Sequence, residues 1–193
     1  KSSVVVLLAM VFDLNKVKND YNCNIYFETG LWNVVTEETS LCQALKLNFD
    51  KCASVEINNK FINLAQEKFS EEIKNDKLFL FEGDSKNLNN YLQDLSIDKN
   101  DKILFFLDSH GSGLGCPLVE ELTAIKELES KNHIIMIDDV RIIRGCIWGD
   151  SRYNNANFES ELKNKILEIN PNYEFSYLNG YQENDVLIAS LSE

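Results

Sequence analysis

Five apolar runs along the chain each stop at an acid or a glycine-bearing turn. Asn24-Ile25-Tyr26-Phe27 leads into Glu28-Thr29-Gly30, Ala53-Ser54-Val55 into Glu56, and Leu78-Phe79-Leu80-Phe81 into Glu82-Gly83-Asp84. Ile103-Leu104-Phe105-Phe106-Leu107 ends at Asp108, and Ile134-Ile135-Met136-Ile137 at Asp138-Asp139. Short runs this apolar, bounded by turn residues, predict buried strands of a parallel sheet. Between and beyond them, apolar positions at helical spacing predict helices over roughly 37–47, 58–72, 87–95, 117–129 and 158–169. Asn58 offers an N-cap directly after a strand, and Pro117 falls in a first helical turn, where its missing N–H costs nothing. Strands alternating with helices of this length call for right-handed crossovers, which place helices on both faces of the sheet. The pattern then changes. Residues 173–178 and 186–191 are β-rich and joined by Asn179-Gly180 and polar residues, with no room for a helix, so they should close the sheet as an antiparallel hairpin. The expected fold class is therefore α/β: a doubly wound, mostly parallel seven-stranded sheet with helices on both faces and a C-terminal antiparallel hairpin. Val4, Leu7, Leu8, Val11 and Leu14 recur at helical spacing, so residues 1–23 are expected to form an N-terminal helical segment ahead of a domain spanning 24–193.

Composition narrows the partners. The 193 residues are 44% hydrophobic, enough for one full core without disulfides or metal. Lys plus Arg number 19 against 31 Asp plus Glu, a net charge of 19 − 31 = −12. Such a field opposes nucleic-acid phosphate and anionic membrane surfaces, so neither is expected as a partner. The apolar stretch over 4–12 is too short to span a bilayer and lacks a signal-peptide cleavage site. The cysteines at 23, 42, 52, 116 and 146 are odd in number and form no Cys-x-x-Cys pair, which suits reduced thiols acting as small core residues in a cytoplasmic protein.

Ligands of open α/β sheets bind outside the carboxyl ends of the strands, so acids recurring there point to one polar, cationic or hydroxyl-rich ligand. Gly30 would let backbone approach such a ligand closely. A carboxylate at Glu56 can accept two ribose hydroxyl protons, and Glu56 follows the glycine at about the spacing of nucleoside-binding units. One glycine-plus-acid pair would be an ordinary strand-to-helix turn; three in register favour a site. Glu28-Thr29-Gly30-Leu31-Trp32 lacks the Gly-x-Gly-x-x-Gly that seats a pyrophosphate, and no Gly-Lys-Ser/Thr phosphate loop is present. Gly83-Asp84-Ser85 is unlike a hydrolase nucleophile in context, because it follows a third strand and has no C-terminal histidine partner.

Over roughly residues 24–191 the chain resembles the class I methyltransferases that use S-adenosylmethionine, a Rossmann-like family, and within it the small-molecule and sugar O-methyltransferases. The resemblance rests on the order of the sites and the terminal hairpin. It implies that Glu28, Thr29, Gly30, Leu31 and Trp32 hold the methionine part of the cofactor, that Glu56 and Ile57 grip the ribose side, and that Gly83, Asp84 and Ser85 meet the adenine, with Asp108 alongside. Leu31-Trp32 stands where a second glycine is common in the family.

The remaining chemistry gathers after the fourth and fifth strands. Asp108, Asp138 and Asp139 should be neighbours at the sheet edge and either repel one another or hold a hard cation such as Mg²⁺; an alternative is that Asp138 or Asp139 only caps the following loop. The resemblance to metal-dependent O-methyltransferases implies an ion there that orients an acceptor hydroxyl. His110 is the first candidate for general base, with Asp108 beside it, and a loop histidine with a structural hydrogen bond is the competing view. His133, at the start of its strand, is expected to be structural. The run Gly111-Ser112-Gly113-Leu114-Gly115 reads as a mobile loop over substrate. All three arginines, Arg141, Arg144 and Arg152, fall after the fifth strand, which together with Trp148 and Tyr153 suggests a loop reading an anionic acceptor; neutralising nearby acids is the alternative, favoured for Arg141. The expected activity is methyl transfer from S-adenosylmethionine to an oxygen of a small polar acceptor. A non-catalytic nucleoside-binding protein and a NAD-type oxidoreductase on the same sheet are the rivals.

Overall fold

A computed structural model of the chain describes residues 12–36, 39–110, 115–145 and 158–191. Seven strands form one sheet: β1 Ile25–Thr29, β2 Lys51–Glu56, β3 Leu78–Glu82, β4 Ile103–Leu107, β5 Ile134–Ile137, β6 Tyr173–Leu178 and β7 Val186–Leu191. Their spatial order is β3-β2-β1-β4-β5-β7-β6, with β7 antiparallel to both of its neighbours and the first five strands parallel. The strands and the hairpin follow the sequence reading closely.

Period-two alternation sends side chains to two separate cores. Ile25 and Phe27 of β1 face one layer, where Leu88 and Leu92 of α5 (Leu88–Asp94), Leu122 and Ile125 of α6 (Leu118–Glu127), and Leu162 and Ile166 of α8 (Phe158–Ile169) close over them. Tyr26, between them in sequence, faces the other layer with Leu14 and Val17 of α1 (Leu14–Asp20), Leu41 of α2 (Ser40–Leu45) and Ile62 of α3 (Asn59–Lys68). Each such aliphatic or aromatic side chain contributes roughly 1.5–3 kcal/mol by leaving water. Helices therefore cover both faces, as the alternation requires.

Three helical expectations need adjusting. The helix over 58–72 is broken at Phe69, whose φ of −112° and ψ of 30° leave α-helical space, so α3 is followed by a separate α4 (Ser70–Lys74). Asn58 does cap α3, accepting a hydrogen bond from the Lys60 N–H at 3.1 Å. The segment after β5, read from sequence as loop, forms a short α7 (Val140–Gly145) that carries Arg141 and Arg144. Val140 and Ile143 are buried in the first core, a signal too brief for periodicity to reveal. Of the N-terminal segment, α1 is described, capped by Asp13, while residues 1–11 lie outside the described residues. So do the glycine run over 111–114, Trp148, Arg152 and Tyr153. Among the described residues no helix is long and apolar enough to cross a membrane.

His133 lies at the amino end of β5, away from the carboxyl rim. It is buried, accepts the Ile103 N–H at Nδ1 (3.2 Å), and packs its ring edge-on against Phe105. Burial lowers its pKa to about 4, so it is a neutral core residue.

Candidate cofactor crevice and acidic site

The parallel strands β1 and β4 are neighbours, but the chain leaves β1 toward β2 and leaves β4 toward β5. That divergence is a topological switch point, and a crevice opens there. The crevice holds about 530 Å³ and is lined from four strand ends. Gly30 and Trp32 follow β1, Glu56 and Ile57 close β2, Gly83, Asp84 and Ser85 follow β3, and Asp108, Ser109 and His110 follow β4; Asp139 enters from beyond β5. Of the four carboxylates expected to share one rim, Glu56, Asp84 and Asp108 do so and Glu28 does not.

The floor depends on Gly30. Its φ is +91°, and a Cβ there would sit 2.4 Å from the Asp108 carbonyl oxygen. Only glycine lets the two strand ends come this close. Glu56 is held ready for a ligand: Oε2 accepts the Trp32 N–H at 3.0 Å and Oε1 the Asn58 N–H at 2.7 Å. Each carboxylate oxygen keeps lone-pair capacity toward the crevice. Trp32 has a left-handed backbone (φ 56°), is 62% exposed, and leans on Phe61 of α3 with ring centroids 5.2 Å apart. With Ile57, half exposed, these rings make an apolar wall opposite the acids.

Three residues expected at the cofactor do not line the crevice. Glu28, Thr29 and Leu31 are fully or almost fully buried. The Glu28 carboxylate accepts hydroxyl hydrogen bonds from Tyr26 (2.8 Å), Ser54 (2.9 Å) and Ser40 (2.5 Å), and desolvation pushes its pKa up to about 7. It ties α2 to β1 and β2 beneath the turn. The Thr29 carbonyl accepts the Asp108 N–H at 3.0 Å, and Leu31 packs in the second core. Asp84 accepts the Lys86 N–H at 3.0 Å and so caps the 3-10 turn over Ser85–Asn87. Sequence reasoning passed over Asn58, Phe61, Lys86 and Pro117 as lining residues, and Glu121 beside Ser109; Gly115, read as part of a loop over substrate, does line the crevice. Phe61 and Glu121 sat within helical periodicities that read as ordinary core and solvated faces.

Beside the crevice lies an acidic cluster. Ligand atoms of Asp108, His110 and Asp139 all fall within 4.8 Å of one another, and so do those of Asp138, Asp139 and Asp185. The expected trio is thus split: Asp139 is common to both groups, Asp138 belongs with Asp185, and His110 takes its place beside Asp108. His110 Nε2 is 2.9 Å from the Asp138 carbonyl oxygen. Burial lowers the His110 pKa, which keeps the ring neutral near neutrality. Asp108 is raised well above the usual carboxylate range, first by desolvation and then by Asp138 and Asp139; Asp138 is raised to about 7 by desolvation and then by Asp139 and Asp185.

The arginines do other work. Arg141 pairs through NH1 with Asp139 (2.5 Å) and with buried Asp185, its N–H reaches Asp185 Oδ1 at 2.9 Å, and its guanidinium lies 4.6 Å from the Tyr181 ring centroid. Arg144 makes a two-pronged bond to Glu159 of α8 (2.5 and 3.1 Å) and covers Tyr177 of β6. Neither lines the crevice. Both serve as counter-ions.

No family model matches the chain, and no curated protein matches it by sequence. Solved structures do match. An O-methyltransferase from Bacillus cereus, in complex with S-adenosylhomocysteine, superposes with a TM-score of 0.63 at 14% identity, covering 91% of this chain and 78% of that one. The fold is that of the class I methyltransferases. The S-adenosylhomocysteine-bound methyltransferase PaMTH1 from Podospora anserina gives 0.57 at 19% identity, covering 92% of this chain and 76% of that one. The O-methyltransferase TomG from Streptomyces achromogenes, involved in tomaymycin synthesis and bound to S-adenosylmethionine, gives 0.59 at 14%, covering 92% and 78%. At these identities the likeness establishes the methyltransferase fold, and the activity has to be argued from the site.

Proposed function

We propose that the chain is an S-adenosylmethionine-dependent methyltransferase acting on an oxygen of a small polar acceptor, such as a sugar or an anionic metabolite. The observation that carries this reading is the crevice at the β1/β4 switch point, where Gly30 removes every side-chain atom from the floor and Glu56 presents a carboxylate fixed by two backbone N–H groups. These features suit an adenosyl ligand: Glu56 would take the ribose hydroxyls, Ile57, Asp84 and Ser85 the base side, and Gly30 with Asp108 the amino-acid end. Such a cofactor supplies an electrophilic methyl group on sulfur.

The residues of the chain would do the rest. His110, buried and neutral, is placed to take the acceptor proton, and the crevice walls would exclude water and hold the acceptor in line. The donor set of Asp108, His110 and Asp139 fits a divalent cation such as Mg²⁺ or Mn²⁺. An ion there would lower the pKa of an acceptor hydroxyl, and it would compete with the base role for the His110 ring. The net charge of −12 supports an acceptor that is neither nucleic acid nor membrane, and the buried free thiols of Cys23, Cys42, Cys52 and Cys116 suit a reducing compartment such as the cytoplasm.

Titration calorimetry with S-adenosylmethionine, S-adenosylhomocysteine and NAD is expected to show binding of both sulfur compounds and none of NAD; NAD binding, or silence from all three, would overturn the reading. Glu56→Gln should weaken S-adenosylhomocysteine by about tenfold, the worth of one charge-assisted hydrogen bond. Once an acceptor is in hand, His110→Asn should lower turnover about 100-fold while changing cofactor affinity little. Unchanged turnover would remove His110 from the chemistry, and loss of activity with a chelator in the wild type would assign the ring to a cation instead.

A further inference from the structure

One buried acid beneath the crevice has no part in the function above. Glu121 stands in the first turn of α6, is 0% exposed, and accepts a hydrogen bond at Oε1 from the Ser109 hydroxyl at 2.7 Å. Ser109 Oγ is in turn 2.9 Å from Ser85 Oγ. Both serines line the crevice, one after β4 and the other after β3. The chain Ser85–Ser109–Glu121 therefore links two strand-end loops to a helix through side chains alone.

Its polarity follows from counting protons. A serine hydroxyl has one proton to donate, and Ser109 donates its own to Glu121 Oε1, so a proton held by Glu121 sits on Oε2 and does not enter the chain. The 2.9 Å contact must then be made with the Ser85 proton, so Ser85 Oγ keeps only lone pairs for anything else. We infer that Glu121 is a positioning residue that fixes the direction of this hydroxyl chain, so that the crevice meets the ligand's base with an acceptor at Ser85 and favours a base edge that donates, such as the exocyclic amine of adenine, over one that carries a carbonyl. Asp84, the neighbouring residue and a carboxylate, offers acceptors in the same loop, so the two residues present one sign of hydrogen bond. The loop after β4 is also held by the close approach of Gly30 to Asp108 and by the contact of His110 Nε2 with the Asp138 carbonyl, and the hydroxyl chain joins it to α6. Without Glu121 the Ser109 proton is released toward Ser85, and Ser85 can turn its own proton outward.

The inference rests on the nucleoside reading of the crevice, and the test separates the two. Affinities for S-adenosylhomocysteine and S-inosylhomocysteine, which differ at the base amine, are measured for the wild type, Glu121→Leu, Glu121→Gln and Ser109→Ala. The wild type should prefer the adenosyl compound. Glu121→Leu and Ser109→Ala should shrink that preference by about tenfold, the value of one hydrogen bond, while Glu121→Gln, which keeps an acceptor oxygen, should retain most of it. Equal weakening of both ligands, or an unchanged ratio in Glu121→Leu and Ser109→Ala, would reduce Glu121 to a packing role and overturn the inference. If the wild type binds neither compound, the functional reading fails and the inference falls with it, a result unlike either of the others.

Discussion

Gly30→Ala should abolish binding of S-adenosylhomocysteine, by more than about 100-fold, and lower the melting temperature by several degrees. Two costs combine. A left-handed φ of +91° is strained for any residue with a Cβ, on the order of 1–2 kcal/mol. The methyl group would also lie 2.4 Å from the Asp108 carbonyl oxygen, 2.8 Å from its carbon and 3.1 Å from the Ser109 Cα, all backbone atoms. Those atoms cannot swing aside as a side chain would. The Asp108 N–H is bonded to the Thr29 carbonyl at 3.0 Å, and Ser109 is tied to Glu121, so relief of the clash must spread the ends of β1 and β4. Those two ends form the floor of the crevice, and a displacement of even 1 Å there removes the fit to a nucleoside. Calorimetry and a thermal melt check both parts; a variant that binds like the wild type would show that the floor is not where the ligand lies.

How much of this was legible in the chain depends on whether a feature is local. The strands were, because runs such as Ile103-Leu104-Phe105-Phe106-Leu107 are buried on both faces and carry their own signature. The gathering of Glu56, Asp84 and Asp108 also followed, since parallel strands with right-handed crossovers must bring their carboxyl ends to one edge. The direction of a side chain at that edge did not. Glu56 is the last residue of β2 and Glu28 the last but one of β1, so Glu28 points into the layer with Tyr26 and meets three hydroxyls, while Glu56 is drawn over the crevice by the Trp32 and Asn58 N–H groups. A one-residue difference in where the strand ends decides this, and propensity does not resolve strand ends to one residue. Arg141 neutralises Asp139, as the favoured alternative had it, but its second partner Asp185, just ahead of β7, lies 44 residues away, and Arg144 pairs with Glu159 of α8, 15 residues on; no local spacing announces either contact. Glu121 shows the same limit in a helix, where an acid in a first turn ordinarily answers the helix dipole and here answers a serine.

Stability should fall as pH rises from 5 to 7.5, by about 3 kcal/mol from Glu28, Glu121 and His133 taken together, which is the reverse of what carboxylates in ion pairs produce. Glu28 and Glu121 are fully buried and are pushed from 4.5 up to about 7, chiefly by desolvation. An acid that holds its proton more tightly folded than unfolded contributes stability below about pH 4.5 and loses it as pH climbs through about 7. Each group loses about 1.4 kcal/mol per pH unit across that window. His133 opposes them: lowered to about 4 from 6.5, it makes stability rise with pH between those values, and it offsets one acid over part of the range. Asp138, raised to about 7, and Asp108, raised well above the usual carboxylate range, add to the fall, while His110 acts with His133. Between pH 6.5 and about 7 the histidines no longer oppose, so the slope should steepen there and level off above. Below about pH 4.5 the trend should turn over, because Glu159 is held down to about 2, first by its hydrogen bonds from Arg144, and stabilises only while ionised. Urea titrations at pH 5, 6.2 and 7.5 would measure the slope, with a melting temperature about 6–12 °C lower at the alkaline end. Glu121→Gln removes one of the two buried glutamic acids and should flatten the profile by roughly half of their share. A stability that climbs steadily from pH 5 to 7.5 would mean that these carboxyls are ionised inside the fold, and the picture of neutral acids beneath the crevice would have to be given up.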